Sequence, residues 1–247
     1  AKIVVCDGNF HGRTITIVSM SSDPDAYTGY GPYTPGFVSI PYSDIESLER
    51  ELQDPNVAAF MAEPIQGEAG VYVPEDGFLK QVRELTQKHN VLMIADEVQT
   101  GIGRTGKLLA CDHEDVRPDV LVLGKAISGG MYPVSAVLAD DDVMLTIQPG
   151  EHGSTFGGNP MGTSLAMTAL EIIKDEKLTE NAAYLGEIFR DAMRNIKSGL
   201  VDIVRGKGLL NAVVIKPKDG VEAWDVCMKM AQNGLLAKPT HQHIIRF

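Results

Sequence analysis

An α/β fold built on a mostly parallel sheet is what this sequence predicts, and three observations carry the expectation. Short apolar runs recur along the chain without the alternation of a half-exposed strand, as in Ile3-Val4-Val5-Cys6 and Val57-Ala58-Ala59-Phe60-Met61. Runs that are apolar on both faces suit strands covered by helices above and below the sheet. Between them lie segments whose apolar residues recur at helical spacing. The length, 247 residues of which 44% are apolar, allows a core that folds without disulfide or metal staples.

The elements follow in order. Ile3–Cys6 is the first strand. Asp44–Leu52 sets Ile45, Leu48 and Leu52 on one face of a surface helix. The strand Val57–Met61 precedes a helix over Gly77–Lys88 with Phe78, Val82 and Leu85 on its inner face. Strands over Val91–Ala95, Val120–Leu123 and Val134–Leu138 come next, and Asp140-Asp141-Asp142 reads as the solvated start of a helix. Asn159-Pro160 joins an N-cap residue to a first-turn proline and opens a helix that runs to about Lys174. A second helical stretch, Leu178 to Lys197, follows with no strand between. The pattern then changes to strands Val201–Val204 and Leu209–Ile215, a helix over Val221–Gln232 and a strand over Ile244–Phe247. That change divides the chain near residue 180 into a large domain over 1–180 and part of a smaller α+β domain over 181–247. The chain opens directly into a strand and closes on another, so both ends read as cut from a longer polypeptide.

Composition excludes several function classes. The balance of 22 Lys+Arg against 33 Asp+Glu, a formal charge of −11, leaves no basic patch to neutralise nucleic-acid phosphates. No apolar run approaches the ~20 residues of a membrane-spanning helix. Cys6, Cys111 and Cys227 are scattered, with no CxxC, and read as reduced thiols of an intracellular protein. The histidines have no ligand spacing except His241-Gln242-His243, which reads as loop, so no metal is expected.

Several segments carry candidate chemistry. The apolar run Val91–Ala95 ends in Asp96-Glu97 and then Gln99, at the strand end where ligands bind in open α/β sheets. A partly buried Asp96 there suits a buried cation such as a protonated ring nitrogen; equally, both carboxylates suit capping of the next turn. Lys125 follows the run Val120–Leu123, among Gly124, Ala126, Gly129 and Gly130. Desolvation there makes a lysine a Schiff-base nucleophile, while an ordinary surface lysine is the plain alternative. Gly150 to Pro160 places Ser154 and Thr155 in a glycine-rich loop before a helix start, which suits a phosphate or simply a flexible loop. Gly101-Ile102-Gly103-Arg104-Thr105-Gly106-Lys107 matches G-x-G-x-x-G and most of a Walker A pattern. Leu108 stands where the Mg²⁺-binding hydroxyl belongs, so nucleotide binding is disfavoured. Asn9-Phe10-His11-Gly12-Arg13-Thr14 sets an aromatic and an arginine near the first strand end, and Glu63 and Glu68 follow the second. Arginine suits bidentate carboxylate recognition, and phenylalanine stacks on rings.

Together, NFHGRT, EPIQGEAG, IADEVQTGIGRTGK, LGKAISGG and GSTFGGNP stand in the order and at the spacing of the class-III aminotransferases, which the chain resembles over essentially its whole length. The longer stretches LGKAISGGMYPVSAVLADDDVM, PGEHGSTFGGNP, RGKGLLNAVVIK and NGLLAKPTHQHIIRF are similar to the ornithine-specific branch of that family. The resemblance implies fold-type I architecture and dependence on pyridoxal 5′-phosphate. It implies that Lys125 bonds to the cofactor and shuttles the proton, that Asp96 pairs with the ring nitrogen and that Gln99 meets the ring hydroxyl. Phe10 would stack on the ring, and Ser154 and Thr155 would reach a phosphate across a homodimer interface. Arg13 is similar to a substrate-carboxylate clamp, and Glu68 and Arg246 to a switch pair. Paired, they leave room for the δ-amine of L-ornithine; apart, they free Arg246 for the dicarboxylate 2-oxoglutarate. The implied products are glutamate semialdehyde and glutamate, formed in the cytoplasm or mitochondrial matrix. Acetylornithine or 4-aminobutyrate as substrate is the alternative within the family. Against the family's length, this chain lacks an N-terminal segment and a C-terminal end.

Overall fold

Two sheets organise the computed structural model, which describes all 247 residues. The chain enters through β1 (Lys2–Cys6), passes the single-turn helices α1 (Ile15–Val18) and α2 (Pro24–Tyr27), and returns in β2 (Phe37–Ile40). Helix α3 (Ile45–Glu51) leads into β3 (Val57–Ala62), and α4 (Phe78–Lys88) into β4 (Leu92–Asp96). Strands β5 (Val120–Leu123) and β6 (Ala136–Ala139) complete the first sheet. Its order is β2-β1-β3-β4-β5-β6, parallel throughout except for the antiparallel edge strand β6.

Strand β2 has no counterpart in the sequence reading. It is a short edge strand, only partly buried and interrupted by Ser39, so it lacks the apolar run of the inner strands. The helices the spacing predicts do form. Asp44 caps α3 by accepting the Ser47 N–H at 2.9 Å. Helices α3 and α4 bring Leu48, Leu52, Phe78, Leu79 and Val82 onto Val4, Phe60 and Met93, the largest buried cluster of the molecule.

After β6, Asp140 precedes the short helix α5 (Asp141–Met144), and the long helices α6 (Pro160–Asp175) and α7 (Leu178–Arg194) follow without an intervening strand. Asn159 caps α6 by accepting the Gly162 N–H at 2.9 Å, with Pro160 in the first turn. The second sheet holds β7 (Val201–Lys207) and β8 (Leu210–Ile215), then, after helix α8 (Ala223–Gln232), β9 (Pro239–Thr240) and β10 (Ile244–Arg246). Its order is β7-β8-β10-β9, antiparallel throughout. No helix is long and apolar enough to cross a membrane.

The Gly101–Lys107 run is a packing joint between the two sheets. Gly208, at the β7–β8 turn, has φ +53°, and a Cβ there would stand 2.4 Å from the Thr105 carbonyl carbon. A Cβ on Gly186 of α7 would reach 1.9 Å from the Gly208 oxygen, and the Leu209 N–H donates to the Arg104 carbonyl at 2.9 Å. Of the glycines that mimic a nucleotide loop, Gly101 would place a Cβ 2.8 Å from the Glu97 oxygen and Gly106 one 2.9 Å from Ala183 Cβ. Gly103 and Gly106 have φ +86° and +92°, so close approach and left-handed backbone account for these glycines.

Candidate functional site

The segments after the carboxyl ends of β4 and β5 line one cleft, as the open-sheet rule anticipates. It has a volume of ≈ 680 Å³ and is lined by Val98, Gln99, Arg104, Lys125, Gly129 and Gly130. A second opening of ≈ 560 Å³, on the side of Met131–Ser135, also meets Lys125.

The two adjacent carboxylates after β4 take different roles. Glu97 is fully buried and structural: it accepts the Thr100 hydroxyl, the Ala110 N–H at 3.0 Å and the Cys111 N–H at 2.8 Å. Asp96 is held on the other side. Its Oδ1 accepts the Val98 N–H at 3.0 Å, and its Oδ2 lies 2.7 Å from His11 Nδ1. Asp96 thus caps the next turn through the Val98 N–H while its charge reaches the Lys125 amine, and Glu97 instead holds the distant turn at Ala110–Cys111.

Lys125 opens a single 3₁₀ turn after β5 with φ +45°, a left-handed conformation that costs a non-glycine residue on the order of 1 kcal/mol. The cleft walls desolvate its amine and set it below the ordinary lysine range. Glu68, Asp96 and Glu63 act in the opposite sense and Arg246 adds to the lowering. The side chain stays accessible from the cleft.

Glu68 and Arg246 meet although 178 residues separate them in sequence: Arg246 Nη2 donates to Glu68 Oε2 at 2.8 Å. Arg246 also donates through Nη1 to the Gly67 carbonyl at 3.0 Å, and Gln99 Nε2 donates to Glu68 Oε1 at 3.3 Å. Burial pushes the Glu68 carboxyl up, but the hydrogen bond and charge of Arg246, with help from Lys125 and Gln99, leave it below the usual range. Glu68 is therefore an anion held against a cation. A Cβ on Gly67 would stand 2.3 Å from Gln99 Oε1, so a side chain there would displace the Gln99 amide.

Phe10 is half-buried, and the Arg13 guanidinium stands 5.4 Å from its ring centroid. Arg13 itself is exposed and forms no ion pair. Ser154 and Thr155 lie in an exposed loop and make no hydrogen bond to the cleft residues of the same chain. Two residues without an assigned role belong to the cluster. His11 has a fully buried side chain, and its Nε2 has no partner. Glu63 is buried beside it and accepts the Phe10 N–H at 2.8 Å. Glu63 is a polar residue directly after β3 and His11 lies in the loop after β1, and that position was the available signal.

The model of the family described as Aminotransferase class-III matches residues 1–247. The mitochondrial ornithine aminotransferases of Rattus norvegicus and Drosophila melanogaster are 62% and 61% identical over all of this chain. The chain spans only 56% and 57% of the length of those two relatives. Among solved structures, the ornithine aminotransferase of Toxoplasma gondii ME49 superposes with a TM-score of 0.97 at 51% identity, over 100% of this chain and 59% of that one. An acetylornithine aminotransferase from Elizabethkingia anophelis superposes with a TM-score of 0.86 at 60% identity, over 100% of this chain and 61% of its own. The fold is the fold-type I architecture of these enzymes. With the family model running from the first residue to the last, the chain belongs to the class-III aminotransferases.

Proposed function

We propose that the full-length protein is an ornithine aminotransferase that uses pyridoxal 5′-phosphate and moves the δ-amino group of L-ornithine to 2-oxoglutarate. The observation that carries this reading is the Glu68–Arg246 pair at 2.8 Å beside Lys125. The donor set fits the cofactor: a lysine with a lowered pKa, a fixed carboxylate, an amide and a half-buried aromatic ring surround one cleft. When bound, the cofactor supplies the electron sink that lets a proton leave the carbon bearing the amino group.

The residues of this chain do the rest. Lys125, set below ordinary lysines by desolvation, is unprotonated at lower pH than a surface lysine and can attack a carbonyl or take a proton. Asp96 presents a carboxylate fixed by His11 and the Val98 N–H, so it meets a cationic ring nitrogen without reorganising. Gln99 would hold the ring hydroxyl, Phe10 would cover a ring face, and Arg13 would clamp a substrate carboxylate. With Glu68 on Arg246 the site is nearly neutral toward an amine; with Glu68 withdrawn, Arg246 is free for a second carboxylate. One site thereby takes two unlike substrates in turn, as a ping-pong reaction requires.

Ser154 and Thr155 would hold the phosphate of the other subunit in a homodimer. Exposed Val137, Leu138, Phe156, Met161 and Met167 around the same loop support an interface there. The large-domain boundary near residue 180 is supported by the change from the parallel to the antiparallel sheet. Relatives named as mitochondrial support the matrix over the cytoplasm as the place of action.

Borohydride reduction of the full-length holoenzyme followed by peptide mapping tests the reading. A pyridoxyl label on Lys125 is expected; a label on any other lysine overturns it. The Elizabethkingia likeness favours acetylornithine as the second reading, and a side-by-side assay with L-ornithine and N-acetylornithine decides between them.

A further inference from the structure

Two loops that bring different groups to the cleft are tied together by a carboxylate to which the reaction assigns no role. Glu63 follows β3 and is 4% exposed. Its Oε1 accepts the Phe10 N–H at 2.8 Å, and its Oε2 accepts the Gly67 N–H at 3.1 Å. The loops are joined again where Gln66 Nε2 donates to the Asp7 carbonyl at 2.7 Å. The half-buried Tyr42 hydroxyl bridges the Glu63 and Pro64 carbonyls at 3.1 and 2.9 Å and so fixes the backbone from which the Glu63 side chain leaves. Gly67 is consequently gripped from both sides. Glu63 takes its N–H, and Arg246 donates to its carbonyl at 3.0 Å.

We propose that Glu63 is a positioning residue whose carboxylate joins the Phe10 loop and the Gly67–Glu68 turn into one body, giving the Glu68 side chain a fixed backbone pivot when it parts from Arg246. The functional consequence rests on the aminotransferase reading above; the tie itself does not. Only a carboxylate offers two acceptors at this spacing. A glutamine would turn its NH₂ toward one of the two N–H donors, and an aspartate is one methylene too short to span them. Keeping an anion there is costly. Burial pushes the Glu63 carboxyl up to about 7, against the Phe10 N–H, the His11 ring and the Gly67 N–H, while Asp96 adds to the rise. Cys6, Tyr42 and Lys125 complete the titratable groups facing it. A buried carboxylate kept at this cost, with each oxygen on a different loop, has positioning as its use.

The test compares wild type with Glu63→Gln in the full-length protein, by two readouts. In the cofactor-free form, hydrogen exchange followed by mass spectrometry should show faster exchange in the segments holding Phe10 and Gly67, with strands β1 and β3 unchanged. In the holoenzyme, KM for both substrates should rise about tenfold, the worth of one charge-assisted hydrogen bond, while kcat falls by less. If Glu63→Gln fails to fold, the wild type serves: after correction for intrinsic rates, the same two amides should lose protection as pH falls through about 7. Unchanged protection at either amide overturns the tie, and a uniform loss of kcat with unchanged KM overturns the pivot. If no amine donor is turned over by the wild type, the function reading fails, and the exchange result still judges the tie.

Discussion

Neutralising Glu63 should change how stability depends on pH, in a direction opposite to that of most carboxylates. Its carboxyl titrates near 7 in the folded chain against an ordinary 4.5. Between these values the folded state holds a proton that the unfolded state has released. Stability therefore falls as pH rises through that window, is fully present below 4.5, and levels off above 7. Integrating the linkage relation from about pH 5 to about pH 8 gives a loss of roughly 2.5 kcal/mol from this one residue. Groups with lowered values, Asp54 at about 2 among them, act in the opposite sense at lower pH, so the wild-type curve alone does not isolate Glu63. The difference between wild type and Glu63→Gln does, because every other group is common to both. Urea unfolding of the cofactor-free proteins at several pH values supplies the measurement. Wild type should lose about 2.5 kcal/mol relative to the variant over that range. A difference that stays flat within about 0.5 kcal/mol would refute the reasoning, because it would place the carboxyl at its unfolded value.

The other predictions test the joint and the carboxylates. Gly186→Ala gains about 1 kcal/mol of helix propensity, but its Cβ would stand 1.9 Å from the Gly208 oxygen. Overpacking wins, and a net loss of about 2 kcal/mol is expected in urea unfolding, whereas Gly153→Ala, which meets nothing within 4 Å, should change stability by less than about 0.5 kcal/mol. Glu97→Gln turns an NH₂ toward the Ala110 or Cys111 N–H inside the core and should cost about 2 kcal/mol by the same assay. Glu68→Ala leaves Arg246 unpaired. It should move the ratio of kcat/KM values toward the dicarboxylate substrate by roughly tenfold, and a ratio equal to that of wild type would contradict the pairing role.

The central strands were legible in the sequence because they are near-continuous apolar runs, and the long helices because of their start signals and spacing. Val57–Ala62 and Leu92–Asp96 are apolar on both faces, and Asn159-Pro160 marks a helix start by its own chemistry. Strand β2 was not legible, because an edge strand with Ser39 at its middle has no comparable pattern. Sequence position also placed Asp96 and Lys125 at strand ends, where the sheet topology makes ligand sites.

Local sequence determined which residues stand at the ends of strands; the tertiary structure decided what each one faces. Asp96 and Glu97 are neighbours of the same chemical type, and only the packing sends one to His11 and the other under the Ala110–His113 turn. The same holds for Gly103 and Gly106, which face Thr179 and Ala183, far along the chain. Glu63 acquires a role only because β1 and β3 are adjacent and bring Phe10 and Gly67 to its two oxygens. Hydrogen bonds reach about 3 Å, so contacts between residues distant in sequence are set by how the sheets pack and not by any local pattern of residues.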